Sequence, residues 1–161
     1  MNFHAWLMIV VGLATALALA LYDLRHFVLP DSLNALLGLA GIGFHLSAEP
    51  IGPTWPELIF GAGFGGGILY GLRMIYGRLR GIEAIGLGDV KLMISAGFWV
   101  GIWATATVLA VASIATLLVI LILRGSWALP NAPLNDRHIP FGPGLCAGLV
   151  VVWLNEYGWI L

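Results

Sequence analysis

Val90–Leu123 reads VKLMISAGFWVGIWATATVLAVASIATLLVILIL, an apolar run interrupted by one charge, Lys91. At about 1.5 Å of rise per residue, about 20 residues cross the hydrocarbon of a bilayer. The run is too long for one crossing. It reads as two short helices, 89–103 and 105–123, with a turn around Gly101. Four further apolar runs lie at 5–21, 32–48, 57–74 and 141–158. The expected fold is all-α: an integral membrane bundle of six transmembrane helices, one domain over residues 1–161. Several spans are short, so tilt or local thinning of the bilayer is expected.

Composition points the same way. The 161 residues are 60% hydrophobic and 9% charged, where soluble domains carry about 25% charge. The bilayer, not water, is the solvent of this fold. Cys146 is the single cysteine, which excludes an internal disulfide framework and a multi-cysteine zinc site. It reads as a small apolar filler. His4, His26, His45 and His138 are scattered, with no HxxxH spacing, so no metal centre is expected. Trp6, Trp55, Trp103, Trp127 and Trp159 fall near span ends, as interfacial anchors do.

Basic residues set the orientation. Across six crossings the loops alternate sides. Arg25 falls in the first loop; Arg73, Arg78, Arg80 and Lys91 in or beside the third; Arg124 and Arg137 in the fifth. All 7 basic residues thus share one face, which the positive-inside rule makes cytoplasmic. The amino terminus is expected outside, with short cytoplasmic loops. The run ending Ala18-Leu19-Ala20 resembles a signal peptide but lacks a basic n-region, so a retained first helix is expected.

Asp23, Asp31, Glu83 and Asp89 fall on that same face. A charge at bilayer depth costs roughly 2.5–3.5 kcal/mol on insertion scales and marks function. Asp31, in Leu29-Pro30-Asp31-Ser32, is explained as helix punctuation. Asp23 is not: it lies in the last turn of the first span, where the helix dipole disfavours a negative charge. Asp89 follows Gly86-Leu87-Gly88 and opens a helix, where the dipole favours it. Read alone, it is an N-cap, with Lys91 reaching toward the headgroups. Read with Asp23 on one face, the two carboxylates form a candidate dyad. Carboxylates about 3 Å apart cannot both ionise easily. One takes a proton from a bound water as it attacks an amide carbonyl, and the other donates to the carbonyl oxygen.

Gly61-Ala62-Gly63-Phe64-Gly65-Gly66-Gly67 matches GxGxxG, but no strand precedes it. Glycines spaced four apart, Gly61 and Gly65 or Gly63, Gly67 and Gly71, read instead as a helix-packing face.

Three blocks carry a resemblance: Asp23 with Leu29-Pro30-Asp31, Glu83 through Gly86-Leu87-Gly88-Asp89-Val90-Lys91-Leu92, and Ile139-Pro140-Phe141-Gly142-Pro143. In this order they resemble the type IV prepilin peptidases, membrane aspartyl proteases of the GxGD type. The resemblance implies catalysis by Asp23 and Asp89. It implies support from Asp31, Glu83, Gly86, Gly88 and Lys91. It implies a prepilin or pseudopilin substrate, a hydrophobic helix behind a basic leader, cut at the inner face of the bacterial cytoplasmic membrane. Larger members add a loop with paired CxxC motifs and a methylation activity; with Cys146 alone, a short peptidase-only form is expected. Membrane lipid is the other expected contact; no cofactor, metal or nucleic acid is. Two other classes compete. A small ion or proton transporter would also bury carboxylates, although no inverted repeat is visible. A structural subunit of a secretion system would need neither aspartate.

Overall fold

The computed structural model describes residues 2–47, 52–81, 85–125 and 140–158. Glu83, His138, Trp127 and Trp159 lie outside the described residues. Among those described, the regular structure is all helical: α1 Phe3–His26, α2 Asp31–Ser47, α3 Trp55–Arg80, α4 Leu87–Gly125 and α5 Gly142–Tyr157. Among the described residues three helices, α1, α3 and α4, are long and apolar enough to cross a membrane.

The reversal expected near Gly101 is present inside α4. Gly101 has φ 72° and ψ −179°, a conformation essentially reserved for glycine. The contacts on either side show that the chain folds back there. A Cβ built on Gly61 would meet the Gly101 carbonyl carbon at 2.6 Å, and one on Gly65 would meet both Met93 and Thr105 at 2.9 Å. Met93 precedes the break and Thr105 follows it, so both arms run beside the same stretch of α3. Further on, a Cβ on Gly148 would meet the Val108 carbonyl oxygen at 2.8 Å, and Gly144 lies against Thr116. Residues 102–125 therefore run antiparallel to α5.

α1, α2, α4 and α5 pack in a ring, and α3 lies outside it against α4. Small residues make the α3–α4 contact. Gly97 lies against the backbone of Gly61 and Ala62, and Gly66 against Ile94. The packing face expected from the glycine spacing is therefore half right. Gly61 and Gly65 face α4, whereas a Cβ on Gly63, Gly67 or Gly71 would meet nothing within 4 Å. A spacing of four does not specify which stripe of a helix faces its neighbour.

Leu19, Leu37, Leu92, Met93, Val108 and Leu145 are fully buried. One end is aromatic: Phe44 stacks on Trp99, and Trp153 on Tyr157. Trp6, Trp55 and Trp103 are exposed as anchors would be, Trp103 at 81%. Trp99 and Trp153 are core residues instead; the Trp99 indole donates to the Leu37 carbonyl at 2.9 Å. Leu17, Phe60, Leu39 and Ile122 project outward, where acyl chains would meet them.

Candidate active site

The site builds up at the end of the ring opposite the aromatic cluster. α1 ends on Phe27, in the left-handed conformation (φ 54°, ψ 31°), whose N–H donates to the Asp23 carbonyl at 2.9 Å. This stops the helix one turn past Asp23. The chain then passes through Leu29 and Pro30 into α2. Asp23 is 5% exposed, despite its place at a helix C-terminus.

The compensation comes from another helix. The Gly142 backbone N–H donates to Asp23 Oδ2 at 3.1 Å. Gly142 is the first residue of α5, so the carboxylate faces the positive end of that helix dipole. A side chain would not fit there: a Cβ on Gly142 would lie 2.7 Å from Asp23 Oδ2 and 3.2 Å from Leu29 Cδ2.

Asp89 lies in the first turn of α4. Its carboxylate accepts a hydrogen bond from the Gly86 backbone, the reach-back half of a capping box. Asp89 is therefore the third residue of the helix and not its N-cap, and the bond to Gly86 fixes the side chain. Gly88 makes the close approach: a Cβ there would lie 2.8 Å from Leu29 Cβ. Leu29, itself buried, touches both the Gly142 and Gly88 backbones and so joins the two aspartate-bearing ends. The Asp23 charge is felt at Asp89. Cys146, buried on α5, lies close to both aspartates and to the Ala20 backbone. The two aspartates, from α1 and α4, thus share one end of the bundle and one neighbourhood.

Asp31 and Lys91 meet as an ion pair, Nζ to Oδ2 at 2.6 Å, with side chains 73% and 46% exposed. Lys91 turns to a carboxylate rather than reaching out alone. Asp31 is the first residue of α2 and acts as a tie to α4, not as an N-cap. An exposed pair of this kind contributes at most about 1 kcal/mol. The Arg73 guanidinium donates to the Ile85 carbonyl and tethers the approach to Gly86.

Two residues were passed over in the sequence. Asn34 is 2% exposed, and its amide donates to the Gly88 carbonyl at 3.4 Å. Ser95 donates to the Asn34 carbonyl at 2.7 Å. The sequence signal for Asn34 was a polar residue inside an apolar span, one turn after Pro30. Gly142 was visible only as part of the Pro-Phe-Gly-Pro block.

Comparison with known proteins adds to this geometry. The model of the type IV leader peptidase family matches residues 10–121. The chain belongs to that family. The match spans both aspartates. The chain is 34% identical over 138 residues to a prepilin leader peptidase/N-methyltransferase of Burkholderia pseudomallei, covering 84% of this chain and 42% of that protein. It is 32% identical over 136 residues to the protein of the same name from Pectobacterium carotovorum, covering 84% of this chain and 47% of that one. It is 33% identical over 147 residues to the leader peptidase HopD of Salmonella typhimurium, covering 86% of each chain. The chain thus spans less than half the length of the first two relatives. No solved structure matches it.

Proposed function

We propose that this leader-peptidase-family protein is a membrane aspartyl endopeptidase that removes the leader of type IV prepilins or pseudopilins. One observation carries the reading: Asp23 and Asp89, on helices from opposite halves of the chain, occupy the same end of the bundle beside Leu29. In this reading they hold a water between them. The ionised member accepts its proton as the oxygen attacks the scissile carbonyl, and the protonated member donates to the carbonyl oxygen. The roles then reverse as the amine leaves. The α5 N-terminus supports an ionised Asp23 through Gly142, and the α4 N-terminus supports an ionised Asp89 through Gly86 in the same way, so the pair shares the base and acid roles.

The reading includes six crossings, counting the two arms of α4 separately, and an amino terminus outside. Every Lys and Arg then falls on the aspartate side, so the active site faces the cytoplasm across the bacterial inner membrane. Substrate would enter laterally as an apolar helix with its basic leader in water. Asp31, Gly86, Gly88 and Lys91 shape the Asp89 approach; Glu83 is proposed as a leader contact on sequence alone. The proposal covers peptide cleavage and not methyl transfer.

The test is cleavage of a purified prepilin in detergent by wild type, Asp23→Asn and Asp89→Asn. Each variant should lose nearly all activity while remaining folded. Normal cleavage by either one sinks the dyad. Ion flux in proteoliposomes that requires both aspartates, without cleavage, would replace it with the transporter reading.

A further inference from the structure

Asn34 presents a local contradiction. It sits on α2 among apolar neighbours, 2% exposed, in a helix otherwise rich in Leu, Gly and Ala. Its amide nitrogen makes one long hydrogen bond, 3.4 Å, to the Gly88 carbonyl. Its Oδ1 is buried and meets no donor among the described residues. A buried acceptor without a partner costs about 1–3 kcal/mol. Leucine has nearly the same shape and would avoid that cost. The amide is therefore poorly explained as a stability device, and natural proteins keep such costs where function requires them.

What the amide touches suggests the function. Gly88 immediately precedes Asp89. Gly88 has no side chain to pack, and its backbone presses against Leu29. The first turn of α4 is loosely closed, with the Val90 N–H reaching the Gly86 carbonyl at 3.4 Å. The Asp89 carboxylate folds back onto the Gly86 N–H. Among these contacts the Asn34 amide is a polar tie from a neighbouring helix to the peptide that carries Asp89. Ser95 makes a second α2–α4 tie, about two turns further along α4, to the Asn34 carbonyl. That bond joins the same helices without touching Gly88.

We infer that Asn34 is a positioning residue for Asp89: its side-chain amide holds the Gly88 carbonyl and so sets the direction from which the Asp89 carboxylate meets Asp23. The inference deepens the peptidase reading and rests on it for its kinetic consequence. Asn34 does not touch substrate in this assignment. It acts through the backbone of the Gly88–Asp89 peptide.

The experiment compares Asn34→Leu with Ser95→Ala in the full chain in detergent. Asn34→Leu should keep or raise the melting temperature, since it removes a buried unpaired acceptor. Its kcat on prepilin should fall by about tenfold to a hundredfold, as expected for a displaced catalytic group, with KM within about twofold. Ser95→Ala should lower the melting temperature and leave kcat near wild type. A second readout needs no cleavage: labelling of Asp89 by dicyclohexylcarbodiimide, followed by mass spectrometry. Its rate should change by at least about twofold in Asn34→Leu and not in Ser95→Ala, since labelling depends on the protonation and access of that carboxyl. Should Asn34→Leu fold poorly, Asn34→Ala takes its place in both assays. Wild-type kcat in the Asn34 variant, or an unchanged labelling rate, overturns the assignment. If the wild type itself cleaves no prepilin, the peptidase reading fails, and the labelling comparison still decides whether Asn34 holds Asp89.

Discussion

The Gly142 N–H reaches Asp23 Oδ2 at 3.1 Å across 119 residues of chain. It places a carboxylate from the end of one helix on the beginning of another. Asp23 alone faces the wrong end of its own dipole; Gly142 supplies the right end of a different one. This contact makes a buried charge tolerable where one helix by itself would not.

Gly142→Ala tests it. The new Cβ would lie 2.7 Å from Asp23 Oδ2, and either the carboxylate or α5 must shift. Expected is a loss of about tenfold to a hundredfold in kcat, because small displacements of a catalytic group are that costly. Prepilin cleavage kinetics, with a melting curve to establish that the protein is folded, measure it. Full activity would mean that the contact has no bearing on catalysis.

The pH profile should be bell-shaped. The productive state holds one proton between two carboxylates. Activity is lost as pH falls and both protonate, and lost again as pH rises and both ionise; the two limbs belong to the pair. Initial cleavage rates across pH, at constant folded fraction, test this. A profile flat on both sides would count against a shared proton.

The glycines of α3 should separate into two classes. Gly63→Ala, Gly67→Ala and Gly71→Ala meet open space. Each should leave stability unchanged or raise it by up to about 1 kcal/mol through helix propensity. Gly61→Ala would drive its Cβ to 2.6 Å from the Gly101 backbone, and Gly97→Ala into that of Ala62. These two should lower the melting temperature in detergent sharply. Equal effects in both classes would contradict the observed facing of α3.

Gly101→Ala should destabilise the hairpin within α4. The backbone conformation there, φ 72° and ψ −179°, carries a strain of about 1–3 kcal/mol for other residues. The added Cβ would also lie 2.8 Å from Pro53. A lowered melting temperature, with kcat per folded molecule less affected, is the expected outcome, because the turn is at the end of the bundle away from Asp23. An undisturbed melt would show that the arms do not depend on that conformation.

The apolar runs, the broken span at Gly101 and both candidate aspartates were legible in the sequence. Hydrophobic length and the rarity of charge are local properties, and a bilayer imposes them on the chain directly. The gathering of the Asp23, Asp31 and Asp89 segments at one end of the bundle was legible too, since alternating spans return those segments to the same end without any knowledge of packing. The tertiary structure alone decided the rest. It selected Gly61 and Gly65 over Gly63, Gly67 and Gly71, drew Trp99 and Trp153 inward, turned Lys91 to Asp31, and set Gly142 and Asn34 against the aspartate-bearing turns. Those outcomes depend on which faces of helices distant in sequence meet. Side-chain spacing gives a helix its stripes; only close packing with a particular neighbour gives each stripe its partner.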